Sequence, residues 1–189
     1  MFKSLSIPAQ QISKRHFQTG DKLIPSVTAL SDGIFEDSPG TPINIGDEIA
    51  KVAGKTVIVQ LPGAFSPACT QSHVPGYIAK LKEFKQQGVD QILITTVNDP
   101  FVTKAFKEIQ LKLDPSTNEI PVRVLSDSKG QFANLGGLLF EESIQFFGNI
   151  RGSRAALVVD NQGTVLKTFD EPDKTGVAET SAENVLKNI

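Results

Sequence analysis

The chain has 189 residues, enough for one domain with a core of its own. Apolar residues make up 39% and charged residues 21%, which excludes a disordered or collagen-like chain. Nineteen Lys and Arg against 21 Asp and Glu leave a net charge of -2, without the basic excess of a nucleic-acid binder. No apolar run reaches the roughly 18 residues needed to cross a bilayer. Cys69 is the only cysteine and His16 and His73 are the only histidines, so an intrachain disulfide and a structural zinc site are both excluded. The one thiol is left either to packing or to chemistry.

Residues 1–20 contain Lys3, Lys14, Arg15 and His16 but no Asp or Glu, with Ser4, Ser6 and Ser13 among broken apolar positions. That composition predicts a mitochondrial presequence and a matrix location. Arg15-His16-Phe17 resembles a matrix-protease pattern with the cut after Phe17. Pro8 interrupts the amphipathic helix such a segment needs, so an uncleaved tail on a cytoplasmic protein is the alternative. The remaining residues, 21–189, form the predicted domain.

Residues 32–47 are rich in Gly, Pro and Asp and read as loops with a short hairpin. Thr56 to Leu61 is a β-branched run, a buried strand that stops at Pro62-Gly63. Helical spacing of Val74, Ile78, Leu81 and Phe84 predicts a helix over about 67–87, with a kink or a restart at Pro75. Gln91 to Val97 is a second strand, and Phe101 to Leu111 a second helix behind Asn98-Asp99-Pro100. Val122 to Leu125 is a third strand, followed by a short helix through Phe132 to Leu135. Ala155 to Val159 and Thr164 to Phe169 pair around Asp160-Asn161-Gln162-Gly163, and Glu179 to Asn188 is a closing helix. This order predicts an α/β protein with a thioredoxin-like fold, an N-terminal extension and a central mixed sheet flanked by helices. A flavodoxin-like sheet is the alternative. No glycine-rich phosphate loop is present, so no cofactor is expected.

Cys69 lies just after a strand–loop junction, in the predicted first turn of a helix. Unpaired backbone N–H groups and the helix dipole there favour a thiolate over a thiol. Packing as a small buried residue is the other reading. Pro62-x-x-x-Ser66-x-x-Cys69 matches the P-x-x-x-(T/S)-x-x-C signature of peroxiredoxins. The run from Pro62 to Tyr77 resembles the type II, or peroxiredoxin-five, subfamily. So do Val97-Asn98-Asp99-Pro100-Phe101, Phe147-Gly148-Asn149 and Arg154-Ala155-Ala156-Leu157-Val158-Val159.

The resemblance implies a thiol peroxidase for hydrogen peroxide and alkyl hydroperoxides. It makes Cys69 the peroxidatic cysteine, Ser66 the hydroxyl that bonds the peroxide, Pro62 a shield against water and Arg154 the distant arginine of the site. Arg151 is a neighbouring candidate for that last role, and His73 is a position the subfamily usually keeps. The chain departs from the family in lacking a resolving cysteine, which implies a one-cysteine mechanism completed by glutathione with glutaredoxin or by thioredoxin. A homodimer is expected by resemblance, with neither nucleic acid nor membrane as partner. Two other readings share the fold: a redox sensor that passes Cys69 oxidation to a partner protein, and a non-catalytic interaction module.

Overall fold

The computed structural model describes residues 16–23, 33–112 and 120–189. Residues 1–15, which carry most of the expected presequence, lie outside the described residues. Phe17, which the expected cut would remove, is buried at 8% exposure. Its ring packs on Phe132 at 5.6 Å between centroids, and its N–H donates to Gly136 O at 3.3 Å. A Cβ on Gly136 would come within 2.3 Å of that ring, so the close approach requires glycine there.

Five strands form one twisted sheet in the order β3-β2-β1-β6-β7. They are β1 (Lys55–Leu61), β2 (Val89–Thr96), β3 (Val122–Ser126), β6 (Ala155–Val159) and β7 (Val165–Asp170). The first three are parallel; β6 runs antiparallel to β1, and β7 antiparallel to β6. The antiparallel β6 beside β1 is the thioredoxin-like mixed arrangement and excludes the all-parallel flavodoxin-like alternative. Helix α1 (Ile45–Ala50) precedes β1, and a helical stretch ending in α2 (Val74–Ile78) and α3 (Leu81–Gln86) joins β1 to β2. Helix α4 (Pro100–Lys112) joins β2 to β3; α5 (Gln131–Leu135) follows β3. A two-residue ladder of β4 (Leu139–Phe140) with β5 (Arg151–Gly152) encloses α6 (Ile144–Phe147), and α7 (Ala182–Lys187) closes the chain.

Continuous apolar runs suit these central strands because both faces are covered. Alternate side chains sort into two cores. Val57, Val59, Leu61, Ile92, Ile94, Val124, Ala156 and Val158 face the core that holds Cys69, Tyr77, Phe84 and Phe106. Ile58, Leu93, Leu125, Ala155, Leu157 and Val159 face the core of Ile45, Ile49, Phe17 and Phe132.

Three expectations need correction. Residues 33–47 do contain an isolated Phe35–Pro42 bridge, but their end starts α1, whose N–H groups are capped by Asn44. The helix expected over 67–87 breaks again at Lys80, whose backbone leaves the helical region (φ -117, ψ 19). The closing helix begins at Ala182 and not at Glu179, because the Ser181 hydroxyl accepts the Asn184 N–H as its cap.

Candidate active site

Strand β1 runs directly into the candidate site. Pro62 is buried behind its end, and the Phe147 ring lies so close to Gly63 that a Cβ there would sit 3.2 Å from the ring edge. The Ala64 N–H donates to Asn98 Oδ1 at 2.9 Å, pinning the loop to the end of β2. Phe65 adopts a left-handed backbone (φ 63) and sets its ring edge-on to Phe106 at 5.3 Å. For a bulky residue that conformation is strained, and it turns the chain sharply into the helix.

Ser66 carbonyl accepts the Thr70 N–H at 3.0 Å, which makes Ser66 the cap and Pro67 the first helical residue. Ala68 and Cys69 therefore carry first-turn N–H groups that have no carbonyl four residues earlier in the helix. From Cys69 to His73 the helix widens to a π turn, with the Val74 N–H reaching back to Cys69 O. Pro75 has no N–H to offer the preceding turn and sits at the start of the ordinary α-helix that follows. The kink or restart expected at Pro75 corresponds to this change from the π turn to α2.

Cys69 has no exposed surface. Arg154, at the entrance to β6 and 85 residues away, brings Nη1 to 3.2 Å from its sulfur. The guanidinium is itself buried, at 2% exposure. Its Nε and Nη2 both donate to Thr175 O, at 3.1 and 3.0 Å, and Nη1 also meets His73 Nδ1 at 2.9 Å. Among the described residues no carboxylate accepts a hydrogen bond from Arg154. The cation therefore faces the sulfur without a competing anion in contact. His73 is buried, and burial followed by the nearby Arg154 charge pushes its pKa down to about 3. Tyr77 lies edge-on to His73 and stacks on Phe84; burial holds its phenol well above the usual range.

The remaining sequence candidates fall in place around this contact. Ser66 is half-buried and donates its hydroxyl hydrogen to Gly63 O at 2.9 Å. Serine has no γ-methyl to restrict its rotamer, so this hydroxyl can turn. Arg151 does not touch the sulfur: its Nη1 donates to Val97 O at 2.6 Å, and its guanidinium lies 5.2 Å from the centre of the Phe147 ring. The sequence singled out neither Thr175 nor Glu171, and Thr180 only as the position where animal-type relatives carry the resolving cysteine that this chain lacks. Thr175 and Thr180 meet Arg154, His73 and Tyr77 through backbone carbonyls, which leave no residue-type signal. Glu171 was findable only as an acidic residue just past a predicted strand. Among the described residues no three His, Cys, Asp or Glu side chains gather to hold a metal, and no helix is long and apolar enough to cross a membrane.

The family model for redoxins matches residues 18–186. Peroxiredoxin-2C of Arabidopsis thaliana is 39% identical over 138 residues, covering 72% of this chain and 80% of that protein. Peroxisomal membrane associated protein 20 of Schizosaccharomyces pombe is 40% identical over 166 residues, covering 88% and 96%. The crystal structure of peroxiredoxin 5 from Alvinella pompejana superposes with a TM-score of 0.65 at 29% identity, covering 84% of this chain and 92% of that one.

The chain is a type II, peroxiredoxin-five-like peroxiredoxin.

Membership carries the reaction class: this peroxiredoxin is a thiol peroxidase. Its matched region begins at Gln18, one residue after the buried Phe17.

Proposed function

We propose that this peroxiredoxin reduces hydrogen peroxide and small alkyl hydroperoxides through Cys69 alone, and that an outside thiol completes each cycle. The observation that carries the reading is the 3.2 Å contact between the Arg154 guanidinium and the only sulfur able to react. Cys69 thiolate attacks one peroxide oxygen in line. An S–O bond forms, the O–O bond breaks, and the leaving alkoxide or hydroxide takes a proton to become ROH or water. Sulfur is oxidised to the sulfenic acid. An external thiol then displaces water to give a mixed disulfide, and a second thiol releases Cys69.

A magnitude sets the division of labour. An ordinary thiol is about a tenth ionised near pH 7.5, so complete ionisation gains at most about tenfold in rate. The larger share falls to groups that stabilise charge on the leaving oxygen: the Arg154 guanidinium, the first-turn N–H groups and the Ser66 hydroxyl. Pro62, buried at the end of β1, keeps water from the sulfur.

Glutathione with glutaredoxin is the proposed reductant, with thioredoxin as the second candidate. A homodimer is supported by Phe65, Phe101, Ile144 and Phe146, all large apolar side chains left between 47% and 70% exposed on segments that border the site. The basic, acid-free first twenty residues support a mitochondrial address.

The test is stopped-flow oxidation of the purified protein by hydrogen peroxide, followed by each reductant system separately and by intact mass. The expected result is one added oxygen on the wild-type chain, none on Cys69→Ser, and multiple turnovers with one reductant system. Oxidation without turnover in either system would overturn the peroxidase cycle in favour of a relay that passes oxidation to a partner protein.

A further inference from the structure

Arginine carries only donors, so where its Nη1 meets the His73 ring, Nδ1 must be the acceptor. The ring proton is then on Nε2, and Nε2 lies 3.0 Å from the Thr180 carbonyl, which can only accept. Both ends of the imidazole therefore demand the same neutral tautomer. Burial and the adjacent cation disfavour a second proton, which agrees with the lowered pKa.

The far side of the imidazole is also fixed. The Tyr77 hydroxyl donates to the same Thr180 carbonyl at 2.7 Å, and the Thr180 N–H and hydroxyl both donate to Glu171 Oε1, at 2.7 and 2.8 Å. Glu171 returns to the start: its N–H donates to the backbone carbonyl of Arg154 at 3.2 Å. The links form a closed ring from the Arg154 side chain through His73, Thr180 and Glu171 to the Arg154 backbone. On its other edge the guanidinium leans on a single oxygen, Thr175 O, and one point of attachment does not prevent it from pivoting.

We infer that His73 is a positioning residue: its neutral imidazole, anchored on the Thr180 carbonyl, supplies the second fixed point that holds the Arg154 guanidinium on the Cys69 sulfur. The inference rests on the peroxidase reading above, because it concerns the same arginine. It assigns His73 no contact with peroxide and no proton transfer.

Two measurements test it. Nitrogen NMR of imidazole-labelled wild-type protein reads the tautomer without any turnover. His73 is expected to carry its proton on Nε2 and to stay neutral at about pH 5, where an ordinary imidazole is mostly charged. A proton on Nδ1, or an imidazolium at that pH, overturns the inference.

The second measurement is peroxide oxidation of variants. His73→Phe keeps the ring and removes both nitrogens; it is expected to lose about tenfold to a hundredfold in rate, the worth of a hydrogen bond to a charged group. His73→Gln restores an acceptor for Arg154 and a donor for Thr180, and is expected to recover most of that loss. Wild-type speed in His73→Phe, or a folded His73→Gln as slow as the phenylalanine variant, overturns the inference. If His73→Phe fails to fold, the nitrogen spectrum decides by the same criteria, and a folded His73→Gln more than about tenfold slower than wild type overturns the inference. Failure of wild-type Cys69 to react with peroxide would sink the peroxidase reading and leave the tautomer result standing.

Discussion

The two faces of the sheet bury polar groups in different ways. On the face behind α1 and α5 the polar contacts are short and local. Thr95 donates to Gln60 at 2.7 Å, Gln91 donates to Thr56 at 3.0 Å, and Asp127 accepts the Phe132 and Ala133 N–H groups at the start of α5. Each set satisfies itself within one or two neighbours. On the face behind α2, α4 and α7 the contacts run in a chain from Glu171 through Thr180 and His73 to Arg154, and end on Cys69. Buried polar pairs that close on themselves support the fold, whereas a chain that converges on a nucleophile marks a site.

The largest expected effect breaks the chain side alone. Arg154→Ala is expected to slow Cys69 oxidation by about a hundredfold to a thousandfold, as loss of a preorganised donor to a developing anion does. Stopped-flow rates on folded protein measure it; a loss of less than about tenfold would show that the arginine is structural. Next comes a change on the opposite face. Leu125 is fully buried there, and Leu125→Ala is expected to cost about 2–5 kcal/mol in urea unfolding. Its folded fraction should oxidise at the wild-type rate, and a slowed rate would mean the two faces are coupled.

The smallest effect sets one titration on each face against the other. An unfolded chain protonates His73 near pH 6.5, the native state only near 3, so falling pH feeds protons to the unfolded state first. Stability then drops by about 1.4 kcal/mol per pH unit across that window. Asp127 does the reverse. Burial pushes its carboxyl up to about 6 in the native state, against 3.8 unfolded, so its contribution rises as pH falls through that range. The two slopes oppose each other between about pH 6 and 4. Asp127→Asn should expose the histidine slope of about 1.4 kcal/mol per unit there, read from urea midpoints at each pH. An unchanged profile would mean that one of the two groups titrates elsewhere.

Much of the sheet was legible because its central strands are unbroken β-branched runs such as Val57-Ile58-Val59, which need cover on both faces. Helix α1 was not: six residues starting in a glycine-rich stretch give too little periodicity, and only the Asn44 cap marks it. The β4–β5 ladder is two residues long and carries no pattern. At the site, Pro62, Ser66 and Cys69 stand close in sequence at a fixed spacing. Arg154 is 85 residues distant and was placed only through the family resemblance. His73 could be read as a helix neighbour of Cys69, yet its link to Arg154 depends on how β6 enters the sheet. The Thr175 and Thr180 carbonyls are backbone groups, present at every residue, so composition could not select them.

The complete burial of Cys69 separates the two halves of the cycle by size. A small peroxide needs only a narrow opening to reach the sulfur. A tripeptide thiol or a protein thiol is larger than a peroxide, so in the proposed cycle the reducing step needs more of the sulfur uncovered than the oxidising step. In the proposed cycle the buried sulfur beside Arg154 serves the first step as it stands, whereas the second step asks for its exposure.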